Sequence, residues 1–143
     1  MPDVGIHRKG EVDLPKLLKK LKRGLGKNVG AIGCFVGVVR GLSKKSEKVK
    51  FLEYEGSDDA LKKLKEIATE TEKRPNIRRV MIHHVIDKLK LGEDAIYVLV
   101  AGQNRADVFT ALPEIMNRVK KEVPIWKKEV TETREYWVHE PQK

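Results

Sequence analysis

The chain has 143 residues, 40% of them hydrophobic and 36% charged, with 30 Lys and Arg against 21 Asp and Glu and a formal net charge of +9. That length fits one domain, expected over residues 1–143, with a core that needs no disulfide or metal staple, and the apolar fraction excludes a disordered chain. The longest nearly apolar run, 29–39, is too short to span a bilayer, MPDVGIHRKG at the N-terminus has no apolar signal region, and the single cysteine excludes an internal disulfide framework and a Cys-cluster metal site, so the expectation is a cytoplasmic protein without membrane attachment.

The first ten residues lack periodicity and read as a loose arm. Asp13 is placed to cap a helix, with Pro15 tolerated in its first turn. Leu14, Leu17, Leu18, Leu21 and Leu25 then repeat along one helical face, and Gly24 and Gly26 stop it. Residues 29–39, VGAIGCFVGVV, read as a buried strand in which Cys34 is a small core residue. Its glycines mark places where backbone or ligand comes close. A polar loop over 41–48 leads to a second strand over 48–55, expected to pair with the first as a hairpin. Ser57 reads as the N-cap of a second helix whose inner stripe is Ala60, Leu64, Ile67, Ala68 and Thr71, ending before Pro75. Strands follow at 77–86 and 94–101, around a turn at Leu91-Gly92-Glu93. The second of these puts Ile96, Val98 and Val100 on one face and Ala95, Tyr97 and Leu99 on the other. Asn104 or Asp107 opens a third helix carrying Phe109, Leu112, Ile115, Met116 and Val119, and Pro113 is expected to bend it or mark a later start. After Pro124, 125–130 and 134–138 read as a final strand pair around Thr131-Glu132-Thr133. Strand pairs separated by helices predict an α+β fold, a two-layer domain with a largely antiparallel sheet.

No GxxxxGK[ST] loop is present, and the glycines of GAIGCFVG lack dinucleotide-fingerprint spacing. His83 and His84 are adjacent in a strand, so they point to opposite faces and cannot converge on one metal. Two places are harder to assign to packing. Arg40 closes an apolar strand at a loop, where rigid scaffolds present polar groups. RVKKEVPIWKKE, 118–129, sets Lys120 and Lys121 at a helix end and Lys127 and Lys128 at a strand start, with Pro124 forcing an extended corner between them. Trp126 and Lys127 face opposite ways, so an anchored Trp126 would fix where Lys127 points.

Taken in order, GAIGCFVGVVRG (30–41), FLEYEG (51–56), LKLGEDAIYVLVAGQNRADVF (89–109) and KKEVPIWKKE (120–129) resemble the large, catalytic subunit of molybdopterin synthase, with a likeness extending over roughly 14–138. The resemblance implies an α/β-hammerhead-type fold and a homodimer within a heterotetramer. Each copy would bind a small ubiquitin-like subunit ending in a Gly-Gly thiocarboxylate. Sulfur would pass from that tail, twice, to cyclic pyranopterin monophosphate, forming the dithiolene of molybdopterin with no cofactor and no metal. The pocket would lie at the dimer interface, with residues from both large subunits. Residue by residue, the family pattern makes Lys120 and Lys127 the catalytic lysines and gives Arg40 to substrate phosphate or pterin. It places Phe35 beside the pocket, makes Arg105 the arginine of a His-Arg pair, and lets Glu129 orient the lysines. Three departures stand out. Asn104 replaces the usual histidine and cannot titrate near neutral pH. The family's HRxG stretch is altered to His84-Val85-Ile86-Asp87. A further arginine beyond the last strand is absent, with Pro141 near its place, so the phosphate pocket would be rebuilt from Lys128 or Arg134.

Thiocarboxylate and substrate phosphate are both anions, and cationic side chains offset their repulsion in a partly dehydrated pocket. Lys120 would stabilise charge at the attacked carbonyl and Lys127 would serve the pterin as charge stabiliser or proton shuttle. Two other readings fit the same sequence. One is a basic nucleic-acid-binding α+β module, disfavoured by 6% aromatic content. The other is a catalytically weak family member, supported by Asn104 alone.

Overall fold

The computed structural model describes residues 2–41, 49–131 and 135–138. In chain order it contains β1 (Asp3–His7), α1 (Leu14–Lys22), β2 (Ala31–Val38), β3 (Val49–Gly56), α2 (Ala60–Glu72), β4 (Ile77–Val85), β5 (Lys88–Lys90), β6 (Asp94–Gly102), α3 (Arg105–Glu122), β7 (Ile125–Thr131) and β8 (Glu135–Trp137). The α+β class expected from the sequence is the one observed. The strands divide into two four-stranded sheets, β1-β4-β6-β2 and β5-β3-β7-β8, antiparallel except for the parallel pair β1–β4.

Local signals explain most boundaries. The Asp13 carboxylate accepts from Lys16 N at 2.9 Å and starts α1, whose Leu17 and Leu21 are buried. The stripe Ala60, Leu64, Ile67, Ala68 and Thr71 is buried along α2, though the N-cap is Asp59; the Ser57 hydroxyl instead accepts from Asp59 N at 3.3 Å. Asn104 caps α3 by accepting from Asp107 N at 3.2 Å. Helix α3 runs unbroken through Pro113. Pro113 and Phe109 are both exposed, so the carbonyl that loses its helical donor is left to water.

The strands β4 and β6 are apolar on both faces because both faces are covered. Ile82, Ile96, Val98 and Val100 pack with α2 and α3, while Met81, Tyr97 and Leu99 pack with Leu17 and Leu21 of α1, Leu52 of β3 and Leu89 of β5. The second sheet wraps the end of the first: Leu52 joins the α1 side, and Ile125 at the other end packs against the α2–α3 side.

Several expectations are corrected. The N-terminal stretch is not a loose arm over Asp3–His7, where it adds β1 to the first sheet; parallel pairing with β4 supplies an order that its own periodicity does not show. The expected β2–β3 hairpin does not form, and the two strands belong to different sheets. β2 is an edge strand, so Cys34 is exposed rather than core, and Phe35 and Val38 are 38% and 53% exposed. Phe109 is 65% exposed; Val108 and Ala111 fill that side of α3 instead. The short β5 carries no strand signal of its own length. The loop residues 42–48, Glu132 and Thr133 of the final turn, Arg134 and Pro141 lie outside the described residues. Among the described residues, no helix is long and apolar enough to cross a membrane.

Candidate active site

Pro124 ends α3 and starts an extended segment, so β7 sets out with its alternation fixed. Lys127 stands opposite Tyr54 and Glu129 opposite Leu52 in the β3–β7 register. Leu52 is core, which makes this the inner face. Glu129 is accordingly buried and Lys127 half-buried. Trp126 and Lys128 take the outer face. Trp126 is 54% exposed, so it is no anchor; strand pairing with β3 is what directs Lys127 inward. Lys128 Nζ lies 3.5 Å from Glu53 and 3.9 Å from Glu135, and 5.5 Å from the centre of the Trp137 ring. It therefore does not share a face with Lys127.

Lys120 sits in the last turn of α3, which leads into β7. Helix α3 packs so tightly on β2 that a Cβ at Gly33 would stand 2.5 Å from Val108 Cγ1 and 2.8 Å from Leu112 Cδ1. Strand β2 runs antiparallel to β6, and α3, which follows β6, runs back in the direction of β2. Four strand residues advance about 13 Å, the length of about nine helix residues, so on a helix aligned with β2 the turn that carries Lys120 would come level with Gly37. Phe35 borders that point: a Cβ at Gly37 would be 3.4 Å from Phe35 Cε2 and 2.7 Å from Ile96 Cγ2. Two residues past β2, Arg40 is exposed beside the same end of the sheet. A register irregularity between Gly37 and Val38 turns Val39 into the α1-side core, which leaves its neighbour Arg40 outward.

The floor is a row across the first sheet. Ile6, His84, Ile96 and Gly37 are register partners from β1 to β2. Tyr54 meets His84 edge-on, ring centres 5.2 Å apart. The His84 imidazole is held down to a pKa of about 4 by burial, against an upward effect of its bond to Val85 O, with the charge of Lys127 adding a smaller downward effect. His83 points the other way, toward His7 and Asp3, as adjacent strand residues must. Cys34 shows no activation: partial burial raises its thiol.

Asn104 and Arg105 are not part of this cluster. They open α3, and the fifteen residues from Arg105 to Lys120 span about 22 Å of helix. Asn104 spends its side-chain oxygen on the helix cap. A separate hollow of about 200 Å³, lined in part by Lys9, Val12, Leu89, Glu93 and Tyr97, lies on the α1 side and includes none of these residues. Sequence reasoning weighed His84 only as a metal ligand and as the start of an altered family stretch, and passed over Tyr54. The alternation of β3 and β4 gives their faces, but only the packing of one sheet on the other brings them together.

Residues 7–122 match the family model described as MoaE protein. The chain belongs to the MoaE family. It is 40% identical over 114 residues to the molybdopterin synthase catalytic subunit of Pyrococcus abyssi, covering 78% of this chain and 75% of that one. The crystal structure of molybdopterin synthase from Staphylococcus aureus superposes with a TM-score of 0.83 at 31% identity, over 94% of this chain and 96% of that one. A complex of subunits 1 and 2 of the molybdopterin-converting factor from Helicobacter pylori 26695 shares the fold, with a TM-score of 0.76 at 21% identity over 96% of this chain and 90% of that chain. The activity of this MoaE protein is that of a molybdopterin synthase catalytic subunit, an enzyme that converts cyclic pyranopterin monophosphate to molybdopterin by sulfur transfer from a small partner subunit.

Proposed function

We propose that sulfur transfer takes place where α3 passes into β7, with Lys120 and Lys127 as the catalytic residues. What supports this reading is the supply of two cations from adjoining elements, Lys120 in the last turn of α3 and Lys127 on the inner face of β7. The chemistry requires a carbon–sulfur bond on the pterin in place of a carbon–oxygen bond, the oxygen leaving as phosphate or water, and cleavage of the acyl–sulfur bond by water, which leaves the partner's tail as a carboxylate. Both steps gather negative charge in a crowded site. Lys120 offsets it at the acyl carbon, and Lys127 does so at the pterin. Glu129, buried two residues from Lys127 on the same face, fixes the orientation of that ammonium. Phe35 supplies an apolar border, and Arg40 takes the substrate phosphate through its planar fork.

The remaining residues call for a second copy of this chain. Arg105 and Asn104, about 22 Å along α3 from Lys120, reach a site of this kind only from a neighbouring protomer. A homodimer would thus carry two sites, each using the C-terminal end of one α3 and the N-terminal end of the other. A small ubiquitin-like subunit with a thiocarboxylated tail completes the assembly as a heterotetramer, in keeping with the two-subunit Helicobacter pylori complex. The working compartment is the cytoplasm.

The test mixes this chain with the thiocarboxylated small subunit and cyclic pyranopterin monophosphate and measures dithiolene product. Lys120→Ala and Lys127→Ala are each expected to lower the rate by about 10²- to 10³-fold while leaving thermal unfolding nearly unchanged. Undiminished turnover in either variant would contradict the assignment.

A further inference from the structure

Resting on the site proposed above, we infer that the Nε2 atom of His84 is an acceptor subsite of the crevice, taking a hydrogen bond from an uncharged N–H of the reactants. The other ring nitrogen fixes the tautomer. His84 Nδ1 lies 3.1 Å from Val85 O. A carbonyl can only accept, so Nδ1 carries the proton, and in the neutral ring Nε2 is a bare lone pair. Among the described residues Nε2 has no hydrogen-bond partner, in a residue that is 7% exposed. It lies in the floor row His84–Ile96–Gly37, beside the Tyr54 ring and within reach of the Lys127 charge.

The surroundings determine what this atom can bind. Among the described side chains, the charged and titratable groups on the inner face of the second sheet here are Lys127, Glu129 and Tyr54. Burial and the Lys127 charge keep the imidazole neutral at working pH. A neutral acceptor offers nothing to the phosphate or to the thiocarboxylate, both of which are acceptors themselves. It suits the uncharged parts that carry N–H groups: the edge of the pterin heterocycle, or a backbone amide of the Gly-Gly tail. Either contact fixes orientation in a site whose cations bind strongly but with little directional preference.

The two nitrogens can be separated by substitution, because an Asn amide reaches the place of Nδ1 and a Gln amide the place of Nε2. His84→Asn should keep the bond to Val85 O and lose the subsite; His84→Phe should lose both; His84→Gln should restore an acceptor. The expected result is a loss of about tenfold in kcat/KM for Asn and Phe, with most of it recovered by Gln. In the wild-type protein, the ¹⁵N resonance of His84 Nε2 should move on titration with cyclic pyranopterin monophosphate if the pterin is the donor. It should move with the small subunit bearing an ordinary C-terminal carboxylate if the tail is. An Nε2 signal unmoved at saturation by both probes, or a His84→Asn variant with wild-type kinetics, would overturn the inference. Failure of the wild-type chain to make product would instead count against the functional reading, and the Nε2 titration would still decide this one.

Discussion

At the scale of single residues, β4 presents two buried imidazoles to opposite faces of one sheet. His83 Nδ1 lies 2.8 Å from His7 Nε2, and its Nε2 lies 3.3 Å from Asp3 Oδ1, with Lys20 Nζ 2.8 Å from Asp3 Oδ2. Both His83 and His84 are lowered from 6.5 to about 4, in each case chiefly by burial. The unfolded chain therefore binds more protons than the folded one between these values, and stability rises with pH across that window. Urea unfolding should show full stability above about pH 6.5 and a loss that grows down to about pH 4. For His84 the ceiling on that loss is about 3 kcal/mol. His83→Gln should flatten the dependence; a variant as acid-sensitive as the wild type would show that other groups cause it. Lys127 and Lys128 supply a second contrast. Lys128 is already occupied by Glu53, Glu135 and Trp137 on the outer face, so Lys128→Ala should retain near-wild-type turnover where Lys127→Ala does not. Equal losses in the two variants would mean that the face assignment of β7 does not govern function.

At the scale of elements, what decides the site is the approach of α3 to β2. Gly33→Val would drive a side chain into Val108 and Leu112 and should cost about 1–3 kcal/mol in urea unfolding, with a loss of turnover as Lys120 is displaced. A variant of unchanged stability would contradict the close packing. Much at this scale was legible in the sequence. Helical periodicity gave α1 and α2 with their buried stripes, and alternation gave the two faces of β6, because burial on one or both sides leaves a direct mark on residue choice. Strand pairing was not legible. The apolar run of β2 read as interior, yet β2 is a sheet edge whose Phe35 and Val38 stay exposed. Its neighbour in sequence, β3, pairs with β5 and β7. Apolar content reports that a surface is covered or reserved for contact, and does not say by what. β1 was hidden for the converse reason: Asp3–His7 owes its order to β4, a partner far away in the sequence.

At the scale of the whole molecule, the lysines of 118–129 and Arg40 could be singled out from local sequence, but their convergence depends on α3 lying along β2 and on the second sheet wrapping the first. Asn104 also changes meaning at this scale. As the capping residue of α3 it has a structural duty that a carboxamide performs well. If it were the mark of an impaired enzyme, Asn104→His should raise turnover markedly; the present account expects no such gain. The central claim is that the two ends of α3 serve different sites across a dimer, and intersubunit complementation tests it most directly. Lys120→Ala and Arg105→Ala chains are each prepared alone, found inactive, then mixed in equal amounts under conditions of subunit exchange. In the mixed dimers one of the two sites keeps both residues, so random pairing should restore about a quarter of wild-type dithiolene formation. Mixtures in which mixed dimers are demonstrably present and yet no activity returns would contradict the account.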